Sequence, residues 1–230
     1  MRHGHASTLI MPALDEALVI SGVLESLPDW LDRVIVVDNG STDETAMIAM
    51  AYGADVVSEP QHGYGAACLA GMSAVTHETS IIIFLDADGS DDPTIMTALV
   101  DPIAKGQTDL VLGQRCSRAA QTALSPQQRY GNWFACALIR WLFGSSFSDL
   151  GPFRAIRHES LNLLGMRDQT YGWTVEMQVR AILAPIRWQE VSVPYRRSVR
   201  KSKISGTVRG VLGAGWKIIS TIIRLRIKAA

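Results

Sequence analysis

Apolar and polar residues follow two rhythms along the first 113 residues. Short β-branched runs at Thr8–Met11, Arg33–Val37, Asp55–Ser58, Ser80–Leu85 and Asp109–Gly113 read as strands. Between them, Glu16–Ser26, Thr42–Tyr52, Tyr64–Thr76 and Pro93–Lys105 have helical spacing. Such alternation predicts an α/β chain, with a mostly parallel sheet flanked by helices on both faces. Ser80–Leu85 (SIIIFL) shows no polar alternation, the pattern of a strand buried on both faces. After Gly113 the rhythm changes. A helix is expected over Pro126–Phe143, then a loop Gly144–Asp149 and a short strand near Phe153–Ile156. Helical patterns return at His158–Leu164 and Thr174–Leu183, Arg187–Tyr195 reads as a strand, and a basic loop Arg196–Gly206 leads to a last helix.

Parallel strands present their C-terminal ends at the crevice where open α/β sheets bind ligands. Three of these ends carry suggestive chemistry. The buried run Ser80–Leu85 stops at Asp86-Ala87-Asp88-Gly89, two carboxylates spaced to reach one divalent cation. Hard cations such as Mg²⁺ and Mn²⁺ prefer carboxylate oxygens and share them with a substrate's phosphates. Asp-x-Asp-Gly also builds ordinary turns, so the neighbouring strand ends decide. Val34–Val37 runs into Asp38-Asn39-Gly40-Ser41-Thr42-Asp43, where Asp38 can accept hydrogen bonds from a base or ribose and Ser41 or Thr42 can cap a helix. Ile10 and Met11 lead into Pro12-Ala13-Leu14-Asp15-Glu16, again a strand, a rigid turn and an acid. Convergence of the three argues for a site.

Net charge is zero, but it is unevenly spread. From Arg196 onward there are ten cations and no acid, leaving 12 of the 22 cations against all 22 acids in residues 1–195, a net of −10 there. A basic tail of this kind favours polyanions. Its cations are interleaved with Ile, Leu and Val rather than exposed aromatics, which argues against nucleic acid. At about 100° per residue, Arg209, Lys217, Arg224 and Lys228 share one sector of the last helix. Val208, Val211, Leu212, Ile218, Ile219 and Ile222 oppose them. Lys217 interrupts the apolar run Val211–Ile223, so the helix is read as lying in a membrane interface with its cations toward anionic headgroups. Packing on the chain's own body or on a second copy in a homodimer is the other use of such a helix. The apolar stretch Thr8–Leu14 is short and broken by Pro12, which does not read as a signal peptide. Cys68, Cys116 and Cys136 are too dispersed for a disulfide framework or zinc site, and suit a reducing cytosol.

These motifs together resemble the inverting glycosyltransferases of family 2. The likeness lies in Pro12–Glu16, Val37–Asp43, Gly63-Tyr64-Gly65-Ala66-Ala67 and Asp86–Gly89, in the family's order and spacing. It implies a GT-A (Rossmann-like) fold and a nucleotide-sugar donor carrying UDP or GDP. Pro12, Glu16 and Asp38 would hold the nucleoside. Asp86 would hold ribose, and Asp86 with Asp88 a Mg²⁺ or Mn²⁺ on the diphosphate. Asp15 stands where the family most often has Asn, and Ser90 where some relatives have a metal-binding Gln, with Asp91 close by. The second half is similar to the polyprenyl-phosphate (dolichyl-phosphate) hexosyltransferase branch, through Gly113-Gln114-Arg115, the helix near Arg129, Ser148–Arg154 and Lys201–Gly206.

That likeness implies a polyprenyl phosphate acceptor held by Arg115 and Arg129, at the cytoplasmic face of the cell membrane with peripheral attachment. An anionic acceptor phosphate needs little general-base help. A hydroxyl acceptor needs a carboxylate, for which Asp149 and Glu176 are the candidates; Glu176 can equally pair with Arg180 one turn away. Arg154 and Arg157 read as surface charges, and Trp133, Trp141 and Trp173 as core or interface residues. The expected organisation is a glycosyltransferase domain over 1–195, with a nucleotide-binding half at 1–113 and an acceptor half at 114–195. Residues 196–230 form the basic loop and amphipathic helix. The lack of Gly-x-Gly-x-x-Gly after the first strand argues against a dinucleotide-binding domain. No Gly-rich loop with a following Lys supports nucleotidyl transfer. A non-catalytic membrane-docking module is the remaining alternative.

Overall fold

The computed structural model describes residues 1–115, 117–145, 147–198 and 208–229. Strands β1 (Ser7–Ala13), β2 (Arg33–Asp38), β3 (Asp55–Ser58), β4 (Ile81–Phe84), β5 (Leu110–Gln114), β6 (Arg154–Arg157) and β7 (Trp188–Ser192) form one sheet in the order β3-β2-β1-β4-β6-β5-β7. All neighbours are parallel except β6, which runs antiparallel to both β4 and β5. The helices are α1 (Ile20–Glu25), α2 (Thr45–Ala51), α3 (Tyr64–Ser73), α4 (Met96–Ala104), α5 (Arg118–Ala123), α6 (Pro126–Phe143), α7 (His158–Leu164), α8 (Trp173–Leu183) and α9 (Val208–Ala229). The α/β architecture and mostly parallel sheet follow the sequence pattern, and so does the fully buried β4.

Side chains leave the strands alternately and build two cores. Leu9, Met11, Val36, Ile81, Ile83 and Val111 face α1, α2 and α4. Ile10, Ile35, Val37, Ile82, Phe84 and Leu112 face the layer of α3, α6, α7, α8 and α9. Helix α6 follows its local code: Ser125 caps it reciprocally with Gln128, Pro126 opens it and Gly144, at φ 70°, ends it.

Three expectations change. The first helix begins at Ile20 rather than Glu16, because Asp15 takes a left-handed φ of 55° and the Glu16 amide donates to Thr45 Oγ1 at 2.8 Å. The short α5 was not anticipated. The last helix is joined to the body: Ile222 and Leu225 enter the core, and Thr221 is buried. Lys217 and Arg224, expected to face headgroups, lie instead 3.1 and 3.4 Å from Asp168 Oδ2. Trp216, Ile223 and Ile227 point outward. Of the basic loop, Arg200, Lys201 and Lys203 lie outside the described residues, as does the side chain of Arg209. No helix among the described residues is long and apolar enough to cross a membrane.

Candidate active site

The ends of β1, β2 and β4 bring the first three motifs together. Pro12 lies in β1 opposite Val37, and Ala13 opposite Asp38. Past the strand, Asp15 Oδ1 accepts from the Thr42 amide at 2.6 Å and the Thr42 hydroxyl at 3.0 Å, while the Asp15 amide donates to Ser41 Oγ at 2.9 Å. The two loops are therefore clipped to each other. Asp and Asn tolerate the left-handed backbone that this clip requires, so either residue type serves at position 15. Asp38 Oδ1 accepts from the Ser41 amide at 3.0 Å, which orients the carboxylate at the strand end. The glycines of Gly63–Ala67 serve a different purpose. A Cβ at Gly65 would lie 2.0 Å from the Asp168 carbonyl oxygen, and the Ala66 amide donates to the Gln169 carbonyl at 2.9 Å. Loop 168–170 thus seats against the start of α3.

Beyond β4, Gly89 at φ 71° turns the chain and the Ser90 amide donates to Asp88 Oδ1 at 3.0 Å. Asp86 Oδ1 is buried with no partner within hydrogen-bond distance among the described residues. Burial, with Asp88 nearby, pushes its carboxyl up to about 7, while the nearby Tyr64 hydroxyl favours the ionised form. Asp91 is buried as well, and both of its oxygens lack partners. Burial and the charge of Asp86 raise it too. A buried, unpaired carboxylate oxygen is costly unless a cation or proton meets it. The Asp86–Asp88 pair therefore fits a divalent cation. Among the described residues, no group of three His, Cys, Asp or Glu side chains is arranged around one ion. Such an ion would complete its shell from diphosphate oxygens and water, as Mg²⁺ commonly does.

The charge of Arg154 stands behind this pair. The antiparallel insertion of β6 puts it opposite Phe84, where it is fully buried. Its guanidinium donates to the carbonyls of Gly151, Pro152 (3.2 Å) and Thr174 (3.1 Å), with its carbon 5.8 Å from the Trp173 ring centre. Burial lowers the Arg154 pKa, and the charges of Arg115 and Arg154 both favour ionised Asp86. The surface reading of Arg154 fails because only the long-range β4–β6 pairing buries it.

Arg115 and Asp149 come together as a bidentate pair. Nε and Nη2 of Arg115 lie 2.8 and 2.9 Å from the two Asp149 oxygens, which also accept from the Arg115 and Leu150 amides at 2.7 and 2.8 Å. The Arg115 guanidinium also stacks on Tyr195, 4.9 Å from the ring centre. Burial pushes Asp149 upward, but these bonds outweigh it and hold the carboxyl below its ordinary range. A carboxylate so engaged is a poor proton acceptor and a good clamp for Arg115. Glu176 is further from the chemistry. It is buried, accepts from the amides of Arg167 and Asp168 at 3.0 and 2.6 Å, and pairs with Arg180 at 2.9 Å. Arg129 lines a cavity of about 290 Å³ beside α6 with Asn132, Trp133, Arg140 and Ser148, a lining to which Arg115 does not contribute.

Arg154 and Tyr195 are thus site residues whose place was not foreseen, whereas Asp91 lies where it was named as a stand-in for the metal-binding Gln that Ser90 replaces. Only the acidic pair at Asp91-Asp92, next to a strand end, gave a signal in the sequence.

The profile of glycosyl transferase family 2 matches residues 8–165. An uncharacterised glycosyltransferase of Mycobacterium tuberculosis (strain ATCC 25618 / H37Rv) is 39% identical over 221 residues, covering 94% of this chain and 99% of that one. A dolichyl-phosphate hexose transferase of Haloferax volcanii is 27% identical, covering 96% and 95%. Among solved structures, glucosyl-3-phosphoglycerate synthase from Mycobacterium tuberculosis with UDP superposes at a TM-score of 0.75, with 24% identity, over 97% of this chain and 80% of that one. The same enzyme in complex with Mn²⁺, UDP-glucose and phosphoglyceric acid gives a TM-score of 0.71 at 23% identity, covering 97% and 80%.

Proposed function

Because the chain belongs to glycosyl transferase family 2, we propose that it transfers a hexose, with inversion, from a UDP- or GDP-sugar to a polyprenyl phosphate. The work would take place at the cytoplasmic face of the membrane, with the protein attached peripherally. The observation that carries this reading is the Asp86–Asp88 pair with its unpartnered buried oxygen, beside an arginine clamped by Asp149. Asp86 and Asp88 would hold Mg²⁺ or Mn²⁺, and Pro12, Glu16 and Asp38 would line the nucleoside. When bound, the cation supplies charge neutralisation to the departing nucleoside diphosphate.

The bond from the sugar's anomeric carbon to the diphosphate breaks, and one from that carbon to an acceptor oxygen forms on the opposite face. A phosphate monoester is already anionic, so no carboxylate has to remove a proton. This suits a site in which Asp149 and Glu176 are both committed to arginines. Arg115, fixed by Asp149 and Tyr195, would orient the acceptor phosphate. The lipid acceptor draws support from the Haloferax relative, whose match extends over nearly the whole of both chains.

A hydroxyl acceptor is the second reading, and Asp91 is the observation in its favour. Its buried carboxylate lacks partners among the described residues and could accept a proton. Release of nucleoside diphosphate decides between the two. With Mn²⁺ and UDP- or GDP-hexose, the primary reading expects acceleration by a short polyprenyl phosphate but not by the corresponding polyprenol. Turnover with phosphoglyceric acid or a polyprenol, and none with the lipid phosphate, establishes the hydroxyl reading instead.

A further inference from the structure

Helix α6 carries large apolar side chains on two opposite sides, although only one of them meets the core. Ala135, Cys136 and Ile139 are buried, with Leu138, Leu142 and Phe143 packed beside them. The opposite side carries Tyr130, Trp133, Phe134 and Trp141, which are 67, 63, 40 and 79% exposed. Three of these rings form a cluster, with Tyr130 centred 5.8 Å from Trp133 and 6.5 Å from Phe134. Helix α9 packs against α6 and adds outward-facing Trp216, Ile223 and Ile227, with Trp216 74% exposed. A second apolar side on a surface helix is normally covered, and exposed apolar patches rimmed by polar residues mark docking surfaces.

We propose that the outward faces of α6 and α9 dock onto an anionic lipid bilayer. Residue chemistry selects this occupant. Trp and Tyr, apolar in the ring and polar at the edge, favour the headgroup boundary of a membrane. Neither helix contains a carboxylate, and their cations include Arg129, Arg140, Arg226 and Lys228. Arg129 and Arg140 line the cavity whose wall includes Trp133 and Ser148, so a phosphate headgroup can enter beside the aromatic face. The rest of the body discourages any other approach, since residues 1–195 outside α6 carry 10 cations against 22 acids, a net of −12. A second copy of the chain is a poorer occupant. An isologous contact brings together two copies of one cation-bearing patch that has no carboxylate, and like charges placed together disfavour association.

The surface differs from the one expected from the sequence. Lys217 and Arg224 are held by Asp168, and the aromatic residues of α6, far away in sequence, provide the larger part. The inference deepens the membrane reading of the proposed function, yet requires neither donor nor acceptor. Vesicle binding and sugar transfer can therefore fail independently.

The test is sedimentation of the full chain with vesicles of phosphatidylcholine alone, or of phosphatidylcholine with about one third phosphatidylglycerol. Binding to the anionic vesicles, weakened by added salt, is expected. Trp141→Ala combined with Trp216→Ala should reduce that binding about tenfold or more. Circular dichroism and Mn²⁺–UDP binding should stay unchanged, because both side chains project into solvent. Quenching of tryptophan fluorescence by brominated lipid should fall in the double variant. Equal sedimentation with and without phosphatidylglycerol overturns the proposal. So does a concentration-dependent dimer, seen by light scattering, that the same double variant dissolves.

Discussion

Asp86 combines burial, a neighbouring carboxylate and an unpartnered oxygen, so its charge is expensive in the metal-free protein. Its folded pKa of about 7 lies above the ordinary 3.8. Stability that this group allows at low pH is therefore lost as pH rises between those two values in the metal-free protein. Metal binding must displace the same proton, so Mn²⁺–UDP affinity should rise by up to about tenfold per pH unit up to about 7, then level off. Calorimetric titration checks this, and Asp86→Asn should abolish both the binding and its pH dependence. Asp149→Asn leaves an acceptor for Arg115 but removes the charge of the clamp. We expect a fall in kcat of about 100-fold from mispositioning, with the pH–rate profile keeping its shape. A profile that loses its acidic limb would instead identify Asp149 as the base. Legibility at this scale depended on sequence distance. Asp38, Asp86 and Asp88 sit where local strand patterns end, so the sequence exposes them directly. The commitment of Asp149 to Arg115 crosses 34 positions, and no local pattern encodes it.

Among the elements, β6 explains the most. Its local sequence, Arg-Ala-Ile-Arg, reads as a short strand with a charge at each end. Only its insertion between β4 and β5 makes Arg154 an interior cation. Periodicity reveals that a strand exists and conceals which neighbours it will have. Loop 168–170 makes a similar point about glycine. Gly65 has no unusual backbone requirement, yet there is no room for a methyl group against the Asp168 carbonyl. Gly65→Ala should destabilise the chain by about 1–3 kcal/mol through overpacking, measurable by urea denaturation, whereas Gly106→Ala should spare that contact. Helix α6 was legible to its bounds, because its start and stop signals lie within about four residues of its ends. The use of its outer face was not, since Trp133 and Trp141 look alike whether they will meet a core or face outward.

At the level of the molecule, the sequence suggested an acidic body with a basic appendage, and the structure integrates the described part of that appendage into the body. Asp168 is the reason. It accepts from the Thr170 amide and hydroxyl at 2.9 Å each, and it anchors Lys217 and Arg224 of α9. Its own carbonyl, with that of Gln169, abuts the start of α3. Asp168→Ala should therefore weaken nucleotide binding as well as loosen α9, although it touches neither nucleotide nor lipid; a variant with an unchanged UDP affinity and faster amide exchange in α9 alone would show the two to be separate. One residue thus ties α9 to the start of α3, the first through its carboxylate and the second through its carbonyl. A push on the outer helix is therefore passed, by one side chain and its own backbone, to the layer beneath it.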